Sequence, residues 1–180
     1  MKNVIHIFGA SGSGTTTLGK KISKELGYKL IDTDDYFWVP TEPKFTLKRP
    51  REERINLMIR DINNAENVVI SGSLTDWGDV LIPNFTLAIR IVVDPSVRIA
   101  RLIQREKERF GTRIAPGGDM YQQHLEFIEW AKSYDTGGIH MRSKAQHDEW
   151  QKLLLCECLQ LDGGNTVEYN FEAVKKMLNK

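Results

Sequence analysis

Three groups of residues in this 180-residue chain have types and spacings suited to handling phosphate. The first is IFGASGSGTTTLGKK, Ile7–Lys21, where Gly9 and Gly14 bracket four residues as in the phosphate-binding pattern G-x-x-x-x-G-K-[ST]. Thr15 stands at the lysine position. Gly9, Gly12 and Gly14 permit backbone angles that turn successive N–H groups inward into an anion nest. A helix starting after the loop adds its positive end. Gly9, Gly12, Ser13, Gly14, Thr15, Thr16 and Thr17 are thus the expected phosphate-binding residues, through donors that do not depend on the side chain at 15. Thr16 holds the hydroxyl position that reaches Mg²⁺. Lys20 and Lys21 are poor replacements for the missing cation, since they lie over ~6 Å further along a helix axis. A turn with no ligand would need only one or two glycines.

The second group is LIDTDDYFW, Leu30–Trp38, with Asp32, Asp34 and Asp35 close together. Clustered carboxylates repel, a cost more easily explained beside a cation. The alternative is a turn whose aspartates cap the next element. Tyr36, Phe37 and Trp38 could stack on a base or fill the core. The third group is an arginine series, Arg98, Arg101, Arg105 and Arg109, spaced by three and four, followed by Arg113 in FGTRIAPGGD. On a helix these share one face, at a small repulsive cost. A solvated helix face is the plain alternative. The series running into a glycine-rich loop points instead to a mobile lid over phosphates, at about residues 105–120, with Arg142 as an additional member. Ser73, Asp76 and Trp77 in SGSLTDW, and the DGGNT segment Asp162–Thr166, are weaker candidates for the same crevice. His6 reads as a core or edge residue of the first strand.

The elements that must position these groups alternate strand and helix. NVIHIF, YKLID, NVVISGS, LAIRIVVD and a stretch within Leu153–Leu161 read as strands. Helices are expected over Thr15–Leu26, ended by Gly27, over Arg51–Asn64 with Pro50 near its start, and from Pro95 to about Arg109. Others are expected from Met120 to about Tyr134 with Asp119 as cap, near Ser143–Lys152, and from Asn165 with Glu168 as its capping partner. That order implies one α/β domain over residues 1–180. Its architecture is a three-layer sandwich: a mostly parallel five-stranded sheet with helices on both faces and a short arginine-rich lid. Loops at strand carboxyl ends, where the glycine loop, the aspartate group and SGSLTDW fall, line the ligand crevice of such a sheet.

Composition excludes several classes. Hydrophobic residues make up 41% and charged residues 27%, ordinary for a globular protein. With 25 basic and 24 acidic residues the formal net charge is +1, which gives no support for nucleic-acid or membrane-surface binding. No apolar run approaches the ~20 residues of a membrane span. The start, MKNVIHIFGASG, is too short and polar for a secretion signal and runs straight into the loop. Cys156 and Cys158, one residue apart and without His or further Cys partners, are expected to be buried thiols rather than a metal site. A cytoplasmic protein without a protein partner is the expectation.

The loop GASGSGTTT, the Asp-x-Asp pair and the arginine series together resemble the P-loop nucleoside-monophosphate and small-molecule kinases, a group that includes adenylate, cytidylate, shikimate and gluconate kinases. The loop is most similar to that of archaeal-type cytidylate kinases, an active family in which a Gly-Thr-Thr variant also occurs. The resemblance covers nearly the whole chain in order of elements and is most specific in the loop. It implies an ATP- and Mg²⁺-dependent phosphotransferase acting on a nucleoside monophosphate or a small hydroxylated metabolite. By similarity to shikimate kinases, Asp32 would serve the metal side with Thr16, and Asp34 would hold or deprotonate the acceptor hydroxyl. Arg105, Arg109 and Arg113 match the lid arginines best by position and would provide the charge that Thr15 lacks. A nucleotide-binding regulatory protein with little transfer activity is the alternative, favoured by Thr15 and disfavoured by the aspartates and arginines.

Overall fold

The computed structural model describes residues 2–179. Its elements run β1 (Val4–Gly9), α1 (Thr15–Leu26), β2 (Lys29–Asp32), α2 (Thr33–Phe37), α3 (Arg51–Asn64), β3 (Val68–Ser71), β4 (Leu87–Val92), α4 (Pro95–Phe110), α5 (Tyr121–Lys132), α6 (Lys144–Gln151), β5 (Cys158–Asp162) and α7 (Val167–Leu178). The five strands form one sheet in the order β2-β3-β1-β4-β5. Every adjacent pair is parallel.

β1 is buried along its whole length because it is the central strand, and its alternation feeds two cores. Val4 and Phe8 enter one cluster with Met58, Leu74, Trp77 and Trp150, while Ile5 and Ile7 enter the other with Leu18, Ile22, Ile89 and Phe171. His6 is fully buried among Phe8, Phe85 and Trp150, with Nε2 2.9 Å from the Gly72 carbonyl. Burial pushes its pKa down to about 4. The chain winds to β2 and β3 on one side of β1, then crosses to β4 and β5 on the other, so the β1 carboxyl end lies where strand order reverses.

Several boundaries differ from expectation, each for a local reason. α2 is an additional short helix: the Asp32 carboxylate accepts the Asp34 N–H at 3.1 Å and caps it. α5 begins after Met120 without a side-chain cap, because the Asp119 carboxylate is taken by Arg113. α7 is capped by Thr166, whose hydroxyl accepts the Tyr169 N–H at 3.2 Å, rather than by an Asn165–Glu168 pair. β5 spans only Cys158–Asp162 of the expected stretch. Both cysteines are half-buried against the Trp150 cluster, not fully enclosed. The segment expected as a loose lid is the end of α4, a 3₁₀ turn at Gly111–Ile114 and a tight turn into α5. Among the described residues no helix is long and apolar enough to cross a membrane.

Candidate active site

The glycine loop joins β1 to α1, and its glycines are there for close approach. A Cβ on Gly9 would lie 2.4 Å from the Ile91 carbonyl oxygen, and one on Gly12 2.6 Å from that of Arg98. Gly14 takes φ 103, a left-handed conformation, as the first cap residue of α1. No side chain caps α1 there, which leaves its first-turn N–H groups available to an anion. The Ser13 hydroxyl is buried and has no hydrogen-bond partner among the described residues. Lys21 is committed elsewhere, to Glu25 at 3.0 Å and Glu168 at 3.9 Å.

From the loop a short polar relay leads to the second group. Thr16 Oγ1 donates to Asp32 Oδ2 at 3.1 Å, and the other Asp32 oxygen caps α2. Asp34, two residues on, lines a cleft of about 850 Å³. Its carboxylate is open to the cleft but hemmed in by protein, and this desolvation raises its pKa. The Asp32 charge raises it further, while Arg142, Arg105 and Arg109 oppose the shift. Thr16 and Asp32 present oxygens of the kind a hard divalent cation takes, and among the described residues no group of three or more His, Cys, Asp or Glu could hold a metal by itself.

The arginine series divides. Arg105 and Arg109 line the cleft. Burial, then the neighbouring Arg109 charge, lowers the Arg105 pKa, while Glu106, Asp34 and Asp32 oppose the shift. Arg109 lies over Phe45, 5.0 Å from the ring centre. Arg98, by contrast, is fully buried and donates to the Ala131 carbonyl and the Asp135 carboxylate. Arg101 donates to the Gly163 carbonyl at 3.0 Å. That bond holds the DGGNT loop beside the phosphate loop, since a Cβ on Gly163 would lie 2.5 Å from the Ser13 carbonyl oxygen. Arg113 is not among the cleft-lining residues; it pairs with Asp119 and Glu42 on the surface.

Arg142, weighed only as an additional member from sequence, spans the site. Its Nη2 is 3.5 Å from Ser11 Oγ in the phosphate loop, its guanidinium lies 4.7 Å from the Trp130 ring centre, and it lines the cleft. Burial lowers its pKa and the Asp34 charge raises it. Its Nε is buried without a hydrogen-bond partner among the described residues. Ser73, Asp76 and Trp77 also line the cleft. Sequence reasoning missed Arg51 and Arg54, which reach the cleft from α3. The signal was available in PREER, two arginines three apart at a helix start. Arg54 stacks on Phe37 at 3.9 Å.

Comparison with known proteins bears on the family and the fold. The model of the AAA domain family (AAA_18) matches residues 5–117. The chain is 38% identical to the uncharacterized protein YqaC of Bacillus subtilis, over 99% of each chain. It is 34% identical to a cytidylate kinase of Archaeoglobus fulgidus over 57% of this chain and 61% of that one, a partial match centred on part of the fold. Among solved structures it superposes on shikimate kinase from Bacteroides thetaiotaomicron with a TM-score of 0.61 at 17% identity, covering 99% of both chains, a likeness of fold. With its loop, its strand order and these relatives, the chain belongs to the AAA domain family, as a P-loop protein of the nucleoside-monophosphate-kinase-like kind.

Proposed function

We propose that the protein is an ATP- and Mg²⁺-dependent phosphotransferase whose acceptor is a nucleoside monophosphate or a small hydroxylated metabolite. The observation that carries this reading is the continuous polar path from the phosphate loop through Thr16, Asp32 and Asp34 into a cleft where the Arg105, Arg109 and Arg142 charges act on the Asp34 carboxylate. The kinase relatives support the reaction class.

In this reading the N–H groups of Gly12 to Thr17 at the α1 terminus hold the triphosphate. Thr16 and Asp32 would hold Mg²⁺, which when bound would supply charge neutralisation at the phosphates. Asp34 orients the acceptor hydroxyl and accepts its proton; the raised pKa makes it a better base than an ordinary aspartate. Arg105, Arg109 and Arg142 stabilise charge on the phosphoryl group in flight, where positioning and electrostatics supply most of the catalysis. Arg142 answers the Thr15 substitution most directly, because it already touches the loop at Ser11. Aromatic walls from Phe37, Trp38, Phe45 and Trp130 exclude water when the cleft is filled. A cytoplasmic setting, where ATP is available, accords with this chemistry.

The test is a panel of acceptors (nucleoside monophosphates, shikimate and gluconate) with ATP and Mg²⁺, scored for ADP. Acceptor-dependent ADP production is expected with at least one member. Nucleotide binding with no turnover across a broad panel would favour the regulatory alternative.

A further inference from the structure

Behind the cleft runs a buried hydrogen-bonded chain that the site described above does not use. Ser73 and Thr75 line the cleft. Their hydroxyl oxygens are 2.8 Å apart, Ser73 Oγ is 3.2 Å from His147 Nε2, and His147 Nδ1 is 2.8 Å from the Tyr134 hydroxyl. His147 is fully buried, and Ser73 and Thr75 are nearly so. These groups come from the β3 carboxyl end, from α6 and from the turn after α5, so the fold assembles them rather than any local motif.

The member with least choice sets the direction of every hydrogen. The Tyr134 phenol has one hydrogen, and among the described residues its recorded acceptor is His147 Nδ1. Arg90, which can only donate, lies beside the phenol and favours its oxygen as an acceptor. Were His147 the donor here, the half-buried phenol hydrogen would have no protein acceptor among the described residues, and the ring would compete with Arg90 to donate to the same oxygen. Nδ1 therefore accepts. Burial, helped by the Arg142, Arg90 and His6 side chains, pushes the His147 pKa down to about 3, so the ring is neutral and its single hydrogen sits on Nε2. That hydrogen goes to Ser73 Oγ, which also receives the Thr75 N–H at 3.4 Å. Two hydroxyl hydrogens then remain on Ser73 and Thr75, and the bond between them uses one. The other has no protein acceptor among the described residues. With the opposite tautomer both hydrogens would be consumed, and the pair would offer only lone pairs.

We propose that the Tyr134–His147 pair sets the Ser73–Thr75 hydroxyls so that Thr75 has a hydrogen to donate toward the cleft, and that Thr75 thereby favours bound molecules presenting a carbonyl, carboxylate or ring-nitrogen lone pair there, a contact the opposite tautomer would not offer. Thr75 is a specificity-determining contact; His147 and Tyr134 are positioning residues. The inference rests on the proposed function only in taking the cleft to be the acceptor site.

Two measurements on the full chain test it. Imidazole ¹⁵N NMR reads the tautomer without any substrate. The Nε2–H form is expected for His147, and Tyr134→Phe, which keeps the ring against Arg98, should convert it to a tautomer mixture. A wild-type ring in the Nδ1–H form overturns the proposal. The kinetic arm uses whichever of cytidine monophosphate, shikimate or gluconate is phosphorylated fastest. Thr75→Val should raise the KM for that acceptor about five- to tenfold, the worth of one hydrogen bond, with kcat within about twofold, while Thr75→Ser stays near wild type. An unchanged KM in Thr75→Val contradicts the specificity role. If none of the three probes is phosphorylated, the phosphotransfer reading is what suffers, and the NMR result still decides the direction of the chain.

Discussion

The two ends of the α4 arginine series have the same residue type and the same spacing yet opposite surroundings. Arg98, near the helix start, is sealed in protein against Ala131, Asp135 and the Tyr134 ring, 5.2 Å away. Arg105 and Arg109, two and three turns on, line an open cleft, with Glu106 and Asp34 as anions acting on Arg105. One end has its charge satisfied within the fold. The other brings Arg105, Arg109 and Arg142 together along one cleft, where burial and then the Arg109 charge lower the Arg105 pKa. A satisfied buried cation holds structure; cations gathered along an open cleft are available to an anionic ligand.

Substitutions at the two ends should therefore separate catalysis from stability. Arg105→Ala and Arg142→Ala are expected to lower kcat by ~10³-fold, with ATP affinity changed far less, because charge at the moving phosphoryl group matters most in the transition state. Single-turnover kinetics and calorimetry check the split. Arg98→Met should do the reverse. It leaves the Ala131 carbonyl without its donor and Asp135 without its cation, costing about 2–3 kcal/mol, or a Tm lower by roughly 5–10 °C for a domain of this size. The residual folded enzyme should turn over at a rate near wild type. Equal loss of kcat at both ends would erase the distinction.

Asp34→Asn sharpens the comparison from the anionic side. Transfer should fall by about 10²-fold, the usual contribution of a positioned acid or base. Stability should rise, not fall, near neutral pH. A carboxyl whose folded pKa is raised binds its proton more tightly in the folded state, so its ionisation weakens the fold as pH climbs through the folded value, and asparagine removes that penalty. For the same reason the acidic limb of the wild-type pH–rate profile should lie above the ordinary aspartate range. Thermal melts and the profile across pH 4–8 read both. The smallest effect belongs to Arg113, which is exposed and tied to Asp119 and Glu42. Arg113→Ala should leave kcat within about threefold, since surface pairs contribute little; a large loss would mean that the 3₁₀ turn moves into the cleft during turnover.

Much of this was legible in the sequence, and the remainder has identifiable causes. The phosphate loop was readable because its glycine spacing encodes positive-φ turns and close backbone approaches that residues with a Cβ rarely accommodate. Sheet class followed from continuous apolar strands such as VIHIF. The division of the arginine series was not readable. Helical periodicity places Arg98 and Arg105 on one face but does not say what that face meets, and Asp135 lies 37 residues from Arg98 in the chain. The Asp119 cap failed for a similar reason: Arg113 competes for the same carboxylate. His147 gave no sign of its role, because its partners Ser73 and Tyr134 are 74 and 13 residues away.

The central claim, that cleft arginines supply the transition-state charge absent at Thr15, is tested most directly by acceptor-dependent ADP formation from Mg²⁺–ATP, measured in parallel for wild type, Arg142→Ala and Thr15→Lys. Turnover should require an acceptor, fall by ~10³-fold in Arg142→Ala, and be no faster in Thr15→Lys, where tighter triphosphate binding stabilises ground and transition states alike. An inactive wild type that gains transfer only with Thr15→Lys would contradict the account and mark the natural chain as a nucleotide binder.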